Sequence, residues 1–269
     1  MNIIGQNKLL SKIDTYYTMN SLPKTLMFIG PSGCGKHMMA KYVAETFKLD
    51  YKEINENISA SDLNECLYST IDTLYVINLN EFTEKQQNFF LKAVEEPTKS
   101  TYFILLATSE AGILNTILNR CIKYTFESYT KEEVEQITGT AINDLAYKIF
   151  KTPGKLLNMT ETSFQAITEL ANNLIKNINK ATYANSLVIS TKINYKDLYN
   201  KIDFNLFLDT VEYLSFENFK NFANEQSFII YKITNQFKQY ATKQNLIKET
   251  LMLNYLTTLW EAVYDFNRT

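Results

Sequence analysis

The stretch FIGPSGCGKHMM, Phe28–Met39, constrains this chain more than any other. Gly30, four residues, then Gly35-Lys36 is the spacing of a phosphate-binding loop. An apolar run, Thr25–Ile29, leads into it, and an amphipathic one, Lys36–Phe47, leads out. A strand entering such a loop and a helix leaving it turn successive backbone N–H groups into an anion-binding nest, to which the lysine adds a point charge. Gly30, Pro31, Ser32, Gly33, Cys34, Gly35, Lys36 and His37 are therefore the candidate nucleotide-binding residues.

The same alternation of apolar runs and helical patterns continues through the first half. Tyr51–Asn55 and Thr73–Ile77 read as strands, with a helix around Ser61–Ile71 between them. In TEKQQNFFLKAVEEP the helical period puts Phe90, Ala93 and Val94 on one face, and Pro97 stops the helix. Thr101–Thr108 is apolar enough for the middle of a parallel sheet. The expected class is α/β, a parallel sheet with helices on both faces.

After Phe126 the strands cease. YTKEEVEQI and AINDLAYKIF read as short amphipathic helices, followed by a break at Thr152–Lys155, TPGK. From Ser163 the period is helical throughout. Phe204, Phe207, Leu208 and Val211 share a face, as do Ile229, Ile233, Phe237 and Tyr240, and then Leu256, Leu259, Trp260 and Val263. Only seven Gly and four Pro beside 18 Tyr and 17 Phe suit long packed helices. The expected domains are 1–128 for the sheet, 129–160 for a small helical lid and 161–269 for an all-α collar-like domain.

Charge and cysteine usage exclude several classes. A net charge of -2 argues against an autonomous nucleic-acid binder, which carries a basic face. Cys34, Cys66 and Cys121 are scattered, with no CxxC pair, so neither a zinc site nor a disulfide framework is expected. The start, MNIIGQNKLL, lacks the basic and apolar regions of a secretion signal. No run approaches the ~20 apolar residues of a membrane span. The expected location is cytoplasmic, with no membrane partner.

The phosphate loop lacks its usual metal chemistry. A Ser or Thr hydroxyl after the lysine normally ligates Mg²⁺, a hard cation that prefers oxygen, and here His37 offers nitrogen. A neighbouring strand end normally adds an Asp for the metal and a Glu to activate water. Aligned on the following helix, those positions fall on Ile77 and Asn78. Glu81 lies further along, where it reads better as a charge near a helix N-terminus than as a substitute. Hydrolysis in this site is not expected; nucleotide binding without turnover stays open, because Lys36 and the nest survive.

Taken together, IIGQ, LPKTLMFIGPSGCGK, TEKQQNFFLKAVEEP, TYFILLATSEAGILNTILNRC and TPGKLL resemble the AAA+ clamp-loader family, and within it the delta-prime subunits of bacterial DNA polymerase III. ILNRC looks like the family's Ser-Arg-Cys motif with Asn119 in place of Ser, and its arginine, Arg120, falls where the family places a finger that acts in trans on a neighbour's ATP. Guanidinium suits that role through its permanent charge and planar fork; an ordinary ion-paired arginine is the plainer alternative. The resemblance further places Thr108 and Ser109 at a γ-phosphate sensor and Lys155 at a second, basic sensor on the lid. It implies a replication subunit with clamp-loader ATPase subunits, a delta-like subunit and a sliding clamp as partners. Primed DNA would be reached through the assembled complex. No cofactor would be required, though ATP or ADP could be held unhydrolysed. The family's four-Cys zinc module is missing, and the segment matching its lid, Tyr129–Met159, is brief. Two rivals stand beside this reading: an active AAA+ motor using an unconventional site, and an AAA+-fold binding module that never engages ATP. Lys85 and Lys92 flank a helix that could face DNA, although solvated charges are the better explanation.

Overall fold

The computed structural model describes residues 3–54, 69–157, 159–178, 203–241 and 248–266. The chain forms two compact units, one of Met1–Ile142 with Thr152–Leu157, the other of Asn143–Lys151 with Asn158–Thr269.

The first unit is built on a five-stranded, all-parallel sheet: β1 (Thr25–Ile29), β2 (Asp50–Ile54), β3 (Thr73–Asn78), β4 (Thr101–Ala107) and β5 (Ile122–Thr125), in the spatial order β2-β3-β4-β1-β5. Register pairs Thr25 with Phe103 and Ile29 with Ala107, so β1 and β4 end together and carry their loops to one edge. β1, β3 and β4 are almost wholly buried, which is why each reads as a continuous apolar run. β2 and β5 are edge strands with mostly exposed or half-buried residues.

Side chains alternate between the sheet faces. Met27, Ile29, Tyr75, Ile77, Phe103 and Leu105 pack with Phe90, Ala93 and Val94 of one helix and Ile117 of another. Leu26, Phe28, Leu74, Val76, Ile104 and Leu106, the intervening residues, are buried too. The helices of this unit are α1 (Asn7–Thr18), α2 (Lys36–Phe47), α3 (Glu84–Glu95), α4 (Asn115–Leu118) and α5 (Lys131–Thr138). Both α3 and α5 start in capping boxes, Thr83 with Gln86 and Thr130 with Glu133, which satisfy N–H groups that a helix start leaves unpaired.

Four expectations change. The helix α1, which buries Leu9 and Ile13, and the strand β5 were not foreseen. β5 is short and lies at an edge, so its four residues carry no apolar run. TPGK is not a plain break: Pro153–Leu156 form one helical turn, α7, with the proline at its start, where no N–H is needed. The helix expected around Ser61–Ile71 lies largely outside the described residues, and Ser69–Ile71 are not helical.

The second unit is helical: α6 (Asp144–Phe150), α8 (Glu161–Ile178), α9 (Phe204–Phe222), α10 (Glu225–Ala241) and α11 (Lys248–Phe266). Its core gathers Phe207, Leu208 and Val211 with Phe237, Leu256, Leu259, Trp260 and Val263, while Phe204, Ile229 and Ile233 pack partly buried against it. The Tyr240 side chain lies outside the described residues. A polar thread runs through the packing: Lys238 pairs with Asp209 at 2.6 Å and with Glu212, while Thr234 and Tyr255 join hydroxyls at 2.8 Å. The segment 129–160 is divided between the units, since α5 and α7 belong to the first and α6 to the second.

Candidate functional site

The phosphate loop leaves the C-terminal end of β1, the end of a parallel sheet outside which α/β folds bind ligands. Gly30 N donates to Ala107 O at 3.0 Å, tying the loop's first residue to the end of β4. Gly33 takes φ 78°, left-handed backbone that a side chain would strain. Gly35 is the residue before α2, so the loop's N–H groups and the helix N-terminus face one space. Three contacts from elsewhere hold the loop: Tyr129 Oη donates to Cys34 O at 2.9 Å, Thr152 Oγ1 to Ser32 O at 3.0 Å, and Gly154 N to Gly33 O at 2.9 Å.

Lys36 is turned back onto this loop. Its ammonium donates to Gly30 O at 2.5 Å and Pro31 O at 2.9 Å, and lies 3.8 Å from Cys34 Sγ. Burial lowers its pKa below that of an ordinary lysine, with Cys34 opposing the shift. Burial in turn pushes the Cys34 thiol up, with Lys36 opposing. His37 is exposed at the rim.

A pocket of about 260 Å³ opens between the loop and the ends of β3 and β4. It is smaller than the roughly 300–1,000 Å³ of sites that enclose a drug-sized ligand, and it is open to solvent. Ser32, Gly33, Gly35, Lys36 and His37 line one side; Asn78 and Thr108 line the other. The structure thus brings together most of the expected loop residues, the position expected to activate water and one of the two sensor positions. Ile77, Ser109, Lys155 and Arg120 lie outside that lining.

The far wall is an amide and hydroxyl network. Thr108 donates to Asn80 Oδ1 through its backbone N at 2.9 Å and its Oγ1 at 2.8 Å. Asn80 Nδ2 donates to Asn78 Oδ1 at 2.7 Å, and Asn78 Nδ2 to Glu81 Oε1 at 2.5 Å. Glu81 sits in a 3-10 turn, Leu79–Glu81, and is not part of the lining. Asn80, Tyr129, Thr152 and Gly154 were missed by sequence reasoning. Asn80 lies two residues beyond Asn78 in the same loop, which is a usable signal; for the other three, only the tertiary fold brings them to the phosphate loop.

Mg²⁺, which an active loop of this kind would hold, does not fit these residues. Ile77 is wholly buried in the sheet core and offers no oxygen. Asn78 presents an amide already bonded to Glu81 and Asn80, His37 presents nitrogen, and among the described residues no carboxylate lines the pocket. Among the described residues, no three His, Cys, Asp or Glu side chains gather as a metal site would require.

Arg120 follows α4 at the surface. Its Nη1 donates to Thr116 O at 2.8 Å and its Nη2 pairs with Glu95 at 3.0 Å, with about two-fifths of both side chains exposed. Ser109 is exposed, Lys155 is half-buried on α7, and Lys85 and Lys92 are exposed on α3. Among the described residues, no helix is long and apolar enough to cross a membrane.

Fold and site define an α/β protein with a phosphate-loop turn between β1 and α2 at the C-terminal end of its parallel sheet. Residues 64–130 match the family model described as DNA polymerase III, delta subunit. The DNA polymerase III subunit delta' of Haemophilus influenzae is 29% identical over 136 residues, covering 44% of this chain and 42% of the relative. A replication factor C small subunit of Methanothermobacter thermautotrophicus is 25% identical over 141 residues, covering 46% and 44%. The crystal structure of a DNA polymerase III gamma subunit-related protein of Thermotoga maritima shares the fold, with a TM-score of 0.51 at 15% identity over 93% of this chain and 99% of that one. These matches make the chain similar to subunits of the AAA+ clamp-loader family. It spans about two-fifths of the length of the curated relatives it matches first.

Proposed function

We propose that this chain is a delta-prime-like subunit of a sliding-clamp loader in DNA replication. It hydrolyses no ATP itself and supplies Arg120 to the ATP site of a neighbouring subunit. The observation that carries the reading is a contrast within one domain. The positions for metal and base hold a buried Ile77 and an amide, Asn78, while Arg120 is kept at the surface beside α4. An arginine finger needs an exposed guanidinium, and its Glu95 pairing, being solvent-exposed, is weak enough to give up on assembly.

In this reading the partners are the loader's ATPase subunits, a delta-like subunit and the clamp, with primed DNA reached through the complex. Segment 129–160 acts as the lid and 161–269 as the collar. Thr108, Ser109 and Lys155 are remnants of nucleotide sensing, ATP or ADP is held without turnover, and the location is cytoplasmic. The relatives' names support the assignment to replication.

The test is the ATPase of a loader assembled with Arg120→Ala. Turnover should fall by roughly 10³-fold, the lower end for arginine fingers, while co-purification of the subunits is unchanged. Full turnover in that assembly would sink the role. Mg²⁺-dependent hydrolysis by the pure chain, lost in Lys36→Ala, would favour a motor subunit instead.

A further inference from the structure

The geometry points to a phosphate site that works without a divalent cation: the pocket beside the loop takes the phosphate groups of a metal-free nucleotide or of inorganic diphosphate. This rests on reading the loop as a non-hydrolysing phosphate site, and it states which ionic form that site selects.

A P-loop normally shares the charge of its phosphates between the lysine and a Mg²⁺ whose remaining ligands are a hydroxyl and a carboxylate. Here both protein contributions have been replaced. His37 stands at the hydroxyl position, exposed at the pocket rim. Ile77 stands at the carboxylate position, with no exposure at all. Glu81, an acid three residues beyond Asn78, is held by Asn78 and is not part of the lining. Among the described residues, the lining offers a Mg²⁺ carried in on a nucleotide neutral hydroxyls, amides and an imidazole but no carboxylate, so its charge gains no counter-charge from this wall.

The phosphate-binding half remains. Gly33 and Gly35 keep the loop turned, and α2 starts at Lys36 with its N-terminal N–H groups toward the pocket. Among the described residues, Lys36 reaches carbonyl oxygens and a buried thiol, none of them an anionic carboxylate. Its ammonium therefore has no fixed counter-ion among them, and an incoming phosphate oxygen supplies one. Asn78, Asn80 and Thr108 form a neutral far wall that repels no phosphate, where a functional metal site would place negative carboxylates. With those carboxylates gone, the cation that screens them is no longer needed.

The experiment is calorimetric titration of the full chain with ADP and with inorganic diphosphate, each in EDTA and in excess Mg²⁺. Affinity in EDTA is expected to equal or exceed that in Mg²⁺, whereas a site that ligates the metal tightens by about tenfold or more on adding it. Lys36→Ala should abolish binding in both buffers. Because that change also removes contacts inside the loop, His37→Ala serves as the second variant, chosen for its exposed position, and should weaken binding severalfold at an unchanged melting temperature. Binding that requires Mg²⁺, or no binding of either ligand in either buffer, overturns the proposal. Both outcomes leave the Arg120 role untouched, since that is read from the turnover of the assembled loader.

Discussion

Gly33 and Gly154 meet backbone to backbone: Gly154 N donates to Gly33 O at 2.9 Å, and a Cβ on Gly154 would stand 2.7 Å from Gly33 Cα. No side chain fits between them. The turn after Thr152 is therefore docked on the phosphate loop, and both glycines are required by that approach.

Gly154→Ala should accordingly destabilise the first unit by about 1–3 kcal/mol, the usual cost of forcing atoms into a packed contact. Its own φ is not the cause, since only Gly33 of the pair has a left-handed backbone. Urea denaturation followed by hydrogen exchange on β1 and α2 would locate the loss. An unchanged midpoint would mean that the turn lifts away at little cost.

Glu95→Gln tests the pairing of Arg120. Both side chains are about two-fifths exposed, so the pair contributes about 0.5 kcal/mol at most to folding. Thermal melting should barely move. If Arg120 acts on a neighbour, the same change should leave loader turnover equal or raised, whereas Arg120→Lys should lower it because ammonium lacks the planar fork.

The second unit should respond at Lys238. Burial works to lower its pKa, but Asp209 and Glu212 outweigh that and hold it above the ordinary lysine value. The pair's contribution is therefore fully present below the unfolded pKa of about 10.4 and is lost only as pH rises through the higher folded value. Stability from this cluster should be flat across neutral pH and fall in strong alkali. Lys238→Ala removes a cation 2.6 Å from Asp209, which is only 8% exposed, at a cost of about 3 kcal/mol, the low end for a broken buried pair, since a third of Lys238 is exposed. Chemical denaturation near neutral pH and in alkali, on both proteins, would check this; equal alkaline sensitivity of wild type and variant would contradict it.

Thiol chemistry gives a fourth outcome. Burial pushes Cys121 up to about 12, and Cys34 is raised by burial and only 2% exposed. In a Cys66→Ser variant, iodoacetamide at a pH of about 8 should leave the native chain nearly unmodified while labelling the unfolded chain twice, because the thiolate is the reactive form. Rapid labelling of Cys34 would show that the phosphate loop opens readily.

Much of the first unit was legible because β1, β3 and β4 are buried on both faces and so read as unbroken apolar runs. Loop spacing marked the nest, and the helical stripes of α9, α10 and α11 marked a core. β5 was not legible, because an edge strand with mostly exposed side chains pairs through its backbone alone. Nor was α1, whose contribution to the core is just Leu9 and Ile13.

By itself, then, the sequence determined the class of fold and the position of the phosphate loop, because each is carried by residue type at a local spacing. Only the tertiary structure decided that Asn80 holds Thr108, that Tyr129 and Thr152 pin the loop, and that Lys36 rests on its own carbonyls. Tyr129 and Thr152 reach the loop across 95 and 120 residues of chain. Such contacts depend on distance in space, and no local pattern of side chains encodes them.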